Sequence, residues 1–490
     1  MHQRILEVPF ARIAILGLIP FIATEVRSAP VEKQNVLFIA VDDLNDWVGC
    51  IGGNPQVKTP NLDKFNAEGG MVMLNASAPA TVCGPSRSAL LTGAHAHRTG
   101  VYGNQNNLRA APKAKDLATL PEYFSQHGYH SISRGKIFHF HKIPGKQRFD
   151  AGQWSFDEWL PAEQGVGPIS KERPVNGLPN LPDEKPHYHT KAFDWGPTVG
   201  NDETKMKDHI TATWAANQLQ TRDFGKPFFM AVGISQPHLS WYLPQKYFDL
   251  YPLEEIQVPE FKPADLDDIV DRNGQPAYEP KPSWMRAEKH GRHKEAVRAY
   301  LAAITFVDDC IGVILDGLAA SPYAENTIVV LWGDHGWYLG EKQRYGKTEL
   351  WQEACRVPLM VRVPGVTPKS RQCHGVVNLI DLYPTLIELC GLPPNPENDG
   401  RSFAPLLKNP EMEWNEPTLT THGLGHHRIY DGRYSYILHR RRGIEQLYDH
   451  KKDPMEWTNL AKDPDHAEVI ARLKAHLPKK DEPMSPMNPS

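Results

Sequence analysis

The chain has 490 residues, 40% of them apolar and 23% charged, with a formal net charge of −4; this composition supports a large buried core, and the length allows two or three domains. The acidic balance excludes the basic footprint of a nucleic-acid binder, so no nucleic-acid partner is expected, yet it leaves an anionic substrate open because a local cationic cluster can bind one. Six cysteines without a Cys-x-x-Cys spacing exclude a zinc ribbon and a redox pair.

Residues 1–29 read differently from the rest. His2, Arg4 and Arg12 precede an apolar run over residues 13–23, and Ser28-Ala29 follows, the shape of a secretory signal peptide. The run is shorter than the roughly 20 residues of a spanning helix, and no second one of that length occurs, so no transmembrane span is expected in the mature chain. A secreted or periplasmic location follows. Arg27 at the cleavage site keeps an uncleaved anchor as the alternative.

Residues 35–41 are continuously apolar with β-branched members, as in a strand buried on both faces of a parallel sheet, and they end in Asp42-Asp43. Ligands gather at the carboxyl ends of strands in open α/β sheets, so two carboxylates there suit a cation; a turn or helix cap is the plainer reading. Next, Cys83-Gly84-Pro85-Ser86-Arg87 runs through Ala89, Leu90 and Leu91 to Thr92-Gly93. Pro85 fits a first helical turn and Gly93 a helix end, so Cys83 sits near a helix N-terminus, where partial positive charge and unpaired N–H groups suit an anion or a thiolate. Arg87 lies one turn on. A buried structural cysteine is the competing reading.

A helix is expected over residues 117–128, followed by Gly135-Lys136 and His139. Residues 140–202 are rich in Pro, Gly, Trp and His without a sustained period, and read as an ordered excursion near the site, a candidate substrate lid. A helix over 203–221 leads to a buried strand over 227–234 and then to Gln236-Pro237-His238. After a Pro-rich connection, residues 294–318 carry the clearest helical spacing in the chain, and a third buried strand over 327–332 ends in Asp334-His335-Gly336, with Lys347 downstream. Residues 357–364 read as a strand and 381–390 as a helix. Strand and helix alternate, as in an α/β domain. From residue 411 onward, short segments with turn signals suggest a small antiparallel sheet, then a helix over 466–476 and a mobile tail from 478.

Cys-x-Pro-Ser-Arg with Leu-Thr-Gly, in order with Asp42-Asp43, Gly135-Lys136 and His139, Pro237-His238, Asp334-His335-Gly336 and Lys347, resembles the type I sulfatases across nearly the whole mature chain. The three histidine-bearing segments, Gly135-Lys136 to His139, Gln236-Pro237-His238 and Asp334-His335-Gly336-Trp337, look closest to the iduronate sulfatase branch. The resemblance implies an alkaline-phosphatase-like α/β fold: a large mixed, mostly parallel sheet flanked by helices over residues 30–410, a C-terminal antiparallel subdomain over 411–478, and a tail over 479–490. It also implies that a formylglycine-generating maturation enzyme oxidises Cys83 to an aldehyde whose hydrate supplies the nucleophilic oxygen. Asp42, Asp43, Asp334, His335 and residue 83 would hold Ca²⁺, with Mg²⁺ as the second choice. Arg87, Lys136 and Lys347 would spread the charge of the sulfate, His238 with Lys347 would protonate the leaving sugar oxygen, and His139 would take a proton from residue 83. Imidazole is an unusual ligand for a hard cation, so His335 would either coordinate or bond only to residue 83.

The implied activity is hydrolysis of sulfate esters of a sulfated saccharide, uronate 2-sulfate-like or another polysaccharide sulfate. A phosphonate or phosphate ester hydrolase of the same superfamily, and an inactive binder of sulfated glycans, are the alternatives. For the rest of the substrate, His422, His426, His427 and Arg428, or residues 439–442, are candidates to hold a carboxylate or second sulfate; an exposed loop and a solvated charged turn are the plainer readings.

Overall fold

The computed structural model describes residue 1 and residues 33–141, 149–150, 152–182, 184 and 192–487. The leader read over residues 1–29 therefore lies outside the described residues apart from Met1. No described helix is long and apolar enough to cross a membrane.

Eight strands form the main sheet: β1 (Asn35–Asp42), β2 (Met71–Ser77), β3 (His130–Gly135), β4 (Glu158–Leu160), β5 (Phe228–Pro237), β6 (Thr327–Gly333), β7 (Leu359–Arg362) and β8 (Gln372–Asn378). Their order is β8-β2-β7-β6-β1-β5-β3-β4. Within this sheet β7 runs against its neighbours β6 and β2, and the other pairings are parallel. The sheet is mixed and mostly parallel, as the family resemblance implied.

The flanking helices are α1 (Pro60–Ala67), α2 (Cys83–Thr92), α3 (Leu120–Gln126), α4 (Lys207–Thr221), α5 (His293–Ala319) and α6 (Leu382–Leu389). All eight residues of β1 are buried. Because side chains alternate across a strand, Leu37, Ile39 and Val41 enter one core with α5, while Val36, Phe38 and Ala40 enter the other with Leu90 of α2 and Leu386 of α6. A continuous apolar run is what two covered faces demand.

Several expectations shift. The helix read over 203–221 starts at Lys207, because the Asp202 side chain caps a separate turn over Glu203–Lys205 and Met206 is extended. Strands β2 and β8 were not expected: β2 has only the short apolar run Met71–Leu74, and β8 has its apolar residues split by His374 and Gly375. The excursion over 140–202 contributes β4 to the sheet edge beside β3, and its Trp195–Pro197 strand pairs with Trp241–Leu243. All six cysteines are free thiols.

The C-terminal sheet is a four-stranded antiparallel meander: β9 (Thr418–Thr421), β10 (His426–Tyr430), β11 (Tyr434–His439) and β12 (Ile444–Asp449). The tail expected to be mobile is tied down as far as residue 487. Glu482 N–H donates to His97 O at 2.7 Å, Ser485 N–H to Gly100 O at 2.8 Å, and Asn106 Nδ2 to Ser485 O at 2.8 Å. A polar sequence reads as a frayed end until another chain segment takes up its backbone bonds.

Candidate active site

Four adjacent strands, β6, β1, β5 and β3, end on the same edge, and each ends in a residue expected at the site: Asp334-His335, Asp42-Asp43, His238 and Lys136. This is where an open α/β sheet collects its ligands. Two glycines let Lys136 turn in. Gly135 has φ +85°, and a Cβ on Gly233 would lie 2.3 Å from the Lys136 backbone nitrogen.

Cys83 and Arg87 come from α2, all ten residues of which are buried. No side chain at the N-cap Val82 satisfies the helix start; instead Asn104 Oδ1 accepts from Gly84 N–H at 2.7 Å. Gly93, at φ +68°, closes the helix as expected. Arg87 is fully buried. Its Nε donates to Asp334 Oδ2 at 2.8 Å and its Nη2 to Asp42 Oδ1 at 3.2 Å, while Nη1 reaches the carbonyls of Lys136 and Ile137.

Around Cys83 Sγ stand Lys347 Nζ at 2.8 Å, His335 Nε2 at 3.2 Å and Asp43 Oδ1 at 3.7 Å. Lys347 Nζ also lies 2.7 Å from Asp43 Oδ1, and Lys136 Nζ binds Asp42 Oδ2. His335 Nδ1 faces the Gly336 carbonyl at 3.0 Å, which places a proton on Nδ1, and its Nε2 lies 3.2 Å from both Cys83 Sγ and Asp43 Oδ1. His238 repeats the device: Nδ1 lies 2.7 Å from Leu239 O, and Nε2 lies 3.8 Å from Asp43 Oδ2. His139 ends the turn that begins at Lys136, half-buried.

Burial raises the Cys83 thiol well above its ordinary range; Asp42 and Asp334 add to this, and Lys136 and Lys347 do not offset it. Desolvation thus outweighs the favourable field of the helix N-terminus and pushes Cys83 away from the thiolate. Burial also opposes ionisation of Asp42 and Asp43, but Lys136, His238, Arg87 and Lys347 hold Asp42 well below the usual carboxylate range, and His238 and Lys347 lower Asp43. Burial lowers His238, and Lys347 and Lys136 reinforce it against the pull of Asp43 and Asp42. At neutral pH its Nε2 is an acceptor.

A divalent cation fits these residues. Asp42, Asp43, Cys83 and His238 bring ligand atoms within 4.8 Å of one another, as do Cys83, Asp334 and His335, and the buried Asp43 Oδ2 has no hydrogen-bond partner. Hard carboxylate oxygens favour Ca²⁺ or Mg²⁺.

Sequence reasoning missed the residues that brace the site. Tyr300 of α5 donates to Asp43 O at 2.8 Å and accepts from Asn45 N–H at 3.0 Å, supporting an Asp43 held at φ +61°. Asp208 of α4 accepts from Ser235 N–H at 2.9 Å and Gln236 N–H at 2.8 Å, fixing the corner that carries His238. An acidic residue in a first helical turn was the available signal for Asp208; a tyrosine on an apolar helix face gives none. Of the residues weighed for wider substrate contact, His427 and Arg428 are buried, bonded to Asp481 at 2.8 Å and to Ser435 at 2.7 Å respectively. His426 stacks on His439 with centroids 4.6 Å apart, and Arg442 Nη2 donates to Ala277 O at 2.7 Å. His422 lies nearer the site, 3.0 Å from the Thr81 hydroxyl.

Residues 34–392 match the sulfatase family model, and residues 333–482 match that of the C-terminal region of N-sulphoglucosamine sulphohydrolase. A sulfatase of Formosa agariphila is 39% identical over 458 residues, 92% of this chain and 87% of the relative. Iduronate 2-sulfatase of Mus musculus is 29% identical over 76% of this chain and 71% of its own length. The solved phosphonate monoester hydrolase of Agrobacterium radiobacter superposes with a TM-score of 0.72 at 21% identity, covering 90% of this chain and 94% of that one, and shares the fold. The chain belongs to the type I sulfatase family, on its iduronate sulfatase branch, and is a sulfuric ester hydrolase.

Proposed function

We propose that the protein is an exported sulfatase that removes sulfate from a sulfated saccharide of the uronate 2-sulfate kind, using formylglycine made from Cys83 by a maturation enzyme and a bound Ca²⁺. The observation that carries this reading is the setting of Cys83: a buried thiol among three carboxylates, with Lys347 at 2.8 Å and His335 at 3.2 Å, where burial pushes the thiol up. A thiol so placed is a poor nucleophile, and the aldehyde hydrate supplies the oxygen it lacks. The similarity to iduronate 2-sulfatase supports the saccharide class, and the charged-then-apolar composition of residues 1–29 supports export. The C-terminal sheet, with residues 411–478, reads as a subdomain of the catalytic unit.

Asp42, Asp43, Asp334, His335 and residue 83 would hold the cation, whose chemistry is to polarise the sulfate oxygens. Arg87, Lys136 and Lys347 hold the remaining negative charge in a largely buried site, where fixed cations act more strongly than in water. His238 together with Lys347 supplies the proton for the leaving oxygen, the Lys347 ammonium staying protonated beside Asp43 Oδ1 at 2.7 Å. His139 takes the proton from residue 83.

The test is the full chain coexpressed with a formylglycine-generating enzyme. Mass spectrometry of the Cys83 peptide should show loss of sulfur and gain of oxygen, and an aryl sulfate should turn over faster than the matching aryl phosphate. Asp334→Asn should lose metal and activity together. Faster phosphate turnover would instead assign the phosphonate hydrolase reading, and activity that survives with unmodified Cys83 or without metal overturns the mechanism.

A further inference from the structure

A cavity of about 520 Å³ opens beside the sulfate site, within the roughly 300–1,000 Å³ of small-molecule sites. Asp42, Lys136 and His238 line one part of it, so it receives whatever is attached to the oxygen that His238 protonates. Lys207, Gln236 and Tyr242 are among the residues that line the remainder, and nothing in the sulfate chemistry uses them.

Each of these three offers a different contact. Lys207 opens α4, is half-buried, and its ammonium has no hydrogen-bond or ion-pair partner among the described residues. The neighbouring carboxylates do not supply one: Glu163, also at the cavity, is bound by Arg134 at 2.5 Å, and Asp42 is taken by Lys136 and Arg87. Gln236 is 6% exposed; its Nε2 donates to Ser240 O at 3.2 Å, while Oε1 is without a partner. A buried acceptor left unsatisfied is costly, and a hydroxyl donor would relieve it. Tyr242 uses its hydroxyl on Asp194 at 2.6 Å, and with the Arg173 guanidinium 4.8 Å from its ring centre it has one ring face left for packing.

We propose that Lys207 is a specificity-determining residue: it binds a second anionic group, a carboxylate or another sulfate, on the saccharide whose sulfate is removed, while Gln236 Oε1 accepts a hydroxyl of the same sugar. This rests on the sulfate-ester reading of the Cys83 site. An uncompensated cation in a cavity wall whose carboxylates are already neutralised selects for a ligand with negative charge beyond the reacting sulfate.

The matured, metal-loaded full chain is assayed with three saccharides: a sulfated uronate, a disulfated hexosamine and a neutral monosulfated sugar. Lys207→Gln should raise KM for one of the doubly anionic saccharides at least tenfold more than for the neutral one, with kcat changed less, and Lys207→Arg should restore most of the difference. Whichever doubly anionic saccharide loses most identifies the group. Salt should weaken wild-type kcat/KM more steeply for that saccharide than for the neutral one, a measurement that needs no variant to fold. Equal changes across the three saccharides, no rescue by arginine, or equal salt dependence overturns the assignment of Lys207. Wild-type enzyme that hydrolyses none of the sulfate esters fails the sulfatase chemistry itself, a different result from loss of selectivity.

Discussion

Arg87 shows how much one side chain carries. Fully buried, it joins Asp42 and Asp334, two carboxylates from adjacent strands, and its guanidinium lies 5.4 Å from the centre of the Trp332 ring. The planar fork satisfies both carboxylates at once, which a lysine point charge cannot do. Arg87→Lys is expected to lower kcat/KM by about 10²–10³, in the range for losing one preorganised donor. It should also lower Tm, because breaking a buried pair leaves an uncompensated charge. Steady-state kinetics and a thermal melt check both. A variant with unchanged kcat/KM would remove Arg87 from the charge-holding set. The residue was legible because it belongs to the Cys-x-Pro-Ser-Arg pattern; Asn104, whose side chain caps Gly84, was not, since a lone Asn in a loop carries no spacing that reveals its partner.

At the scale of elements, the corner between α4 and β5 sets where His238 stands. Asp208 grips two consecutive N–H groups there, and losing it strands both as buried donors, at about 1–3 kcal/mol each when unpaired. Asp208→Ala should therefore lower kcat about tenfold or more through misplaced His238, with metal content unchanged because Asp42, Asp43 and Asp334 stay in place. Asp208→Asn, which keeps one carbonyl acceptor, should recover part of the loss. Metal analysis beside kcat separates the two effects: metal lost in step with kcat would mean a general collapse of the site. The helix read over 294–318 survived almost unchanged as His293–Ala319, because its burial stripe is long and strictly spaced. The strands β2 and β8 escaped notice because their runs are broken by polar residues such as Asn75 and His374.

Across the whole molecule, the C-terminal tail ties the last sheet to the loop that follows α2. His95, His97 and His427 meet there, with ring centroids 5.6 Å and 6.4 Å apart, and Asp481 of the tail binds His427 at 2.8 Å. Burial, then His97, depresses His95 to about 4, and burial lowers His97 as well. The unfolded chain has histidines near 6.5 and so binds more protons than the folded one between about 4 and 6.5; stability is present above that window and is lost as pH falls through it. Tm should drop between pH 7 and pH 5 by a few degrees, and His95→Gln should flatten that drop. Melting curves of the two proteins that fall in parallel would sink this assignment.

The sequence alone determined the parallel α/β frame, since strands covered on both faces must be apolar throughout, and it picked out Cys83, Arg87, Asp42-Asp43 and Asp334-His335, chemically unusual residues at strand and helix ends, as a candidate cluster that the fold brings together. Only the tertiary structure decided that burial pushes the Cys83 thiol up, as desolvation depends on what surrounds the helix start. It alone decided that Tyr300 and Asp208 brace the site, and that Lys207 stands unpaired in the cavity wall. Those roles reside in contacts between segments up to 257 residues apart, as with Tyr300 and Asp43, and no local pattern encodes them.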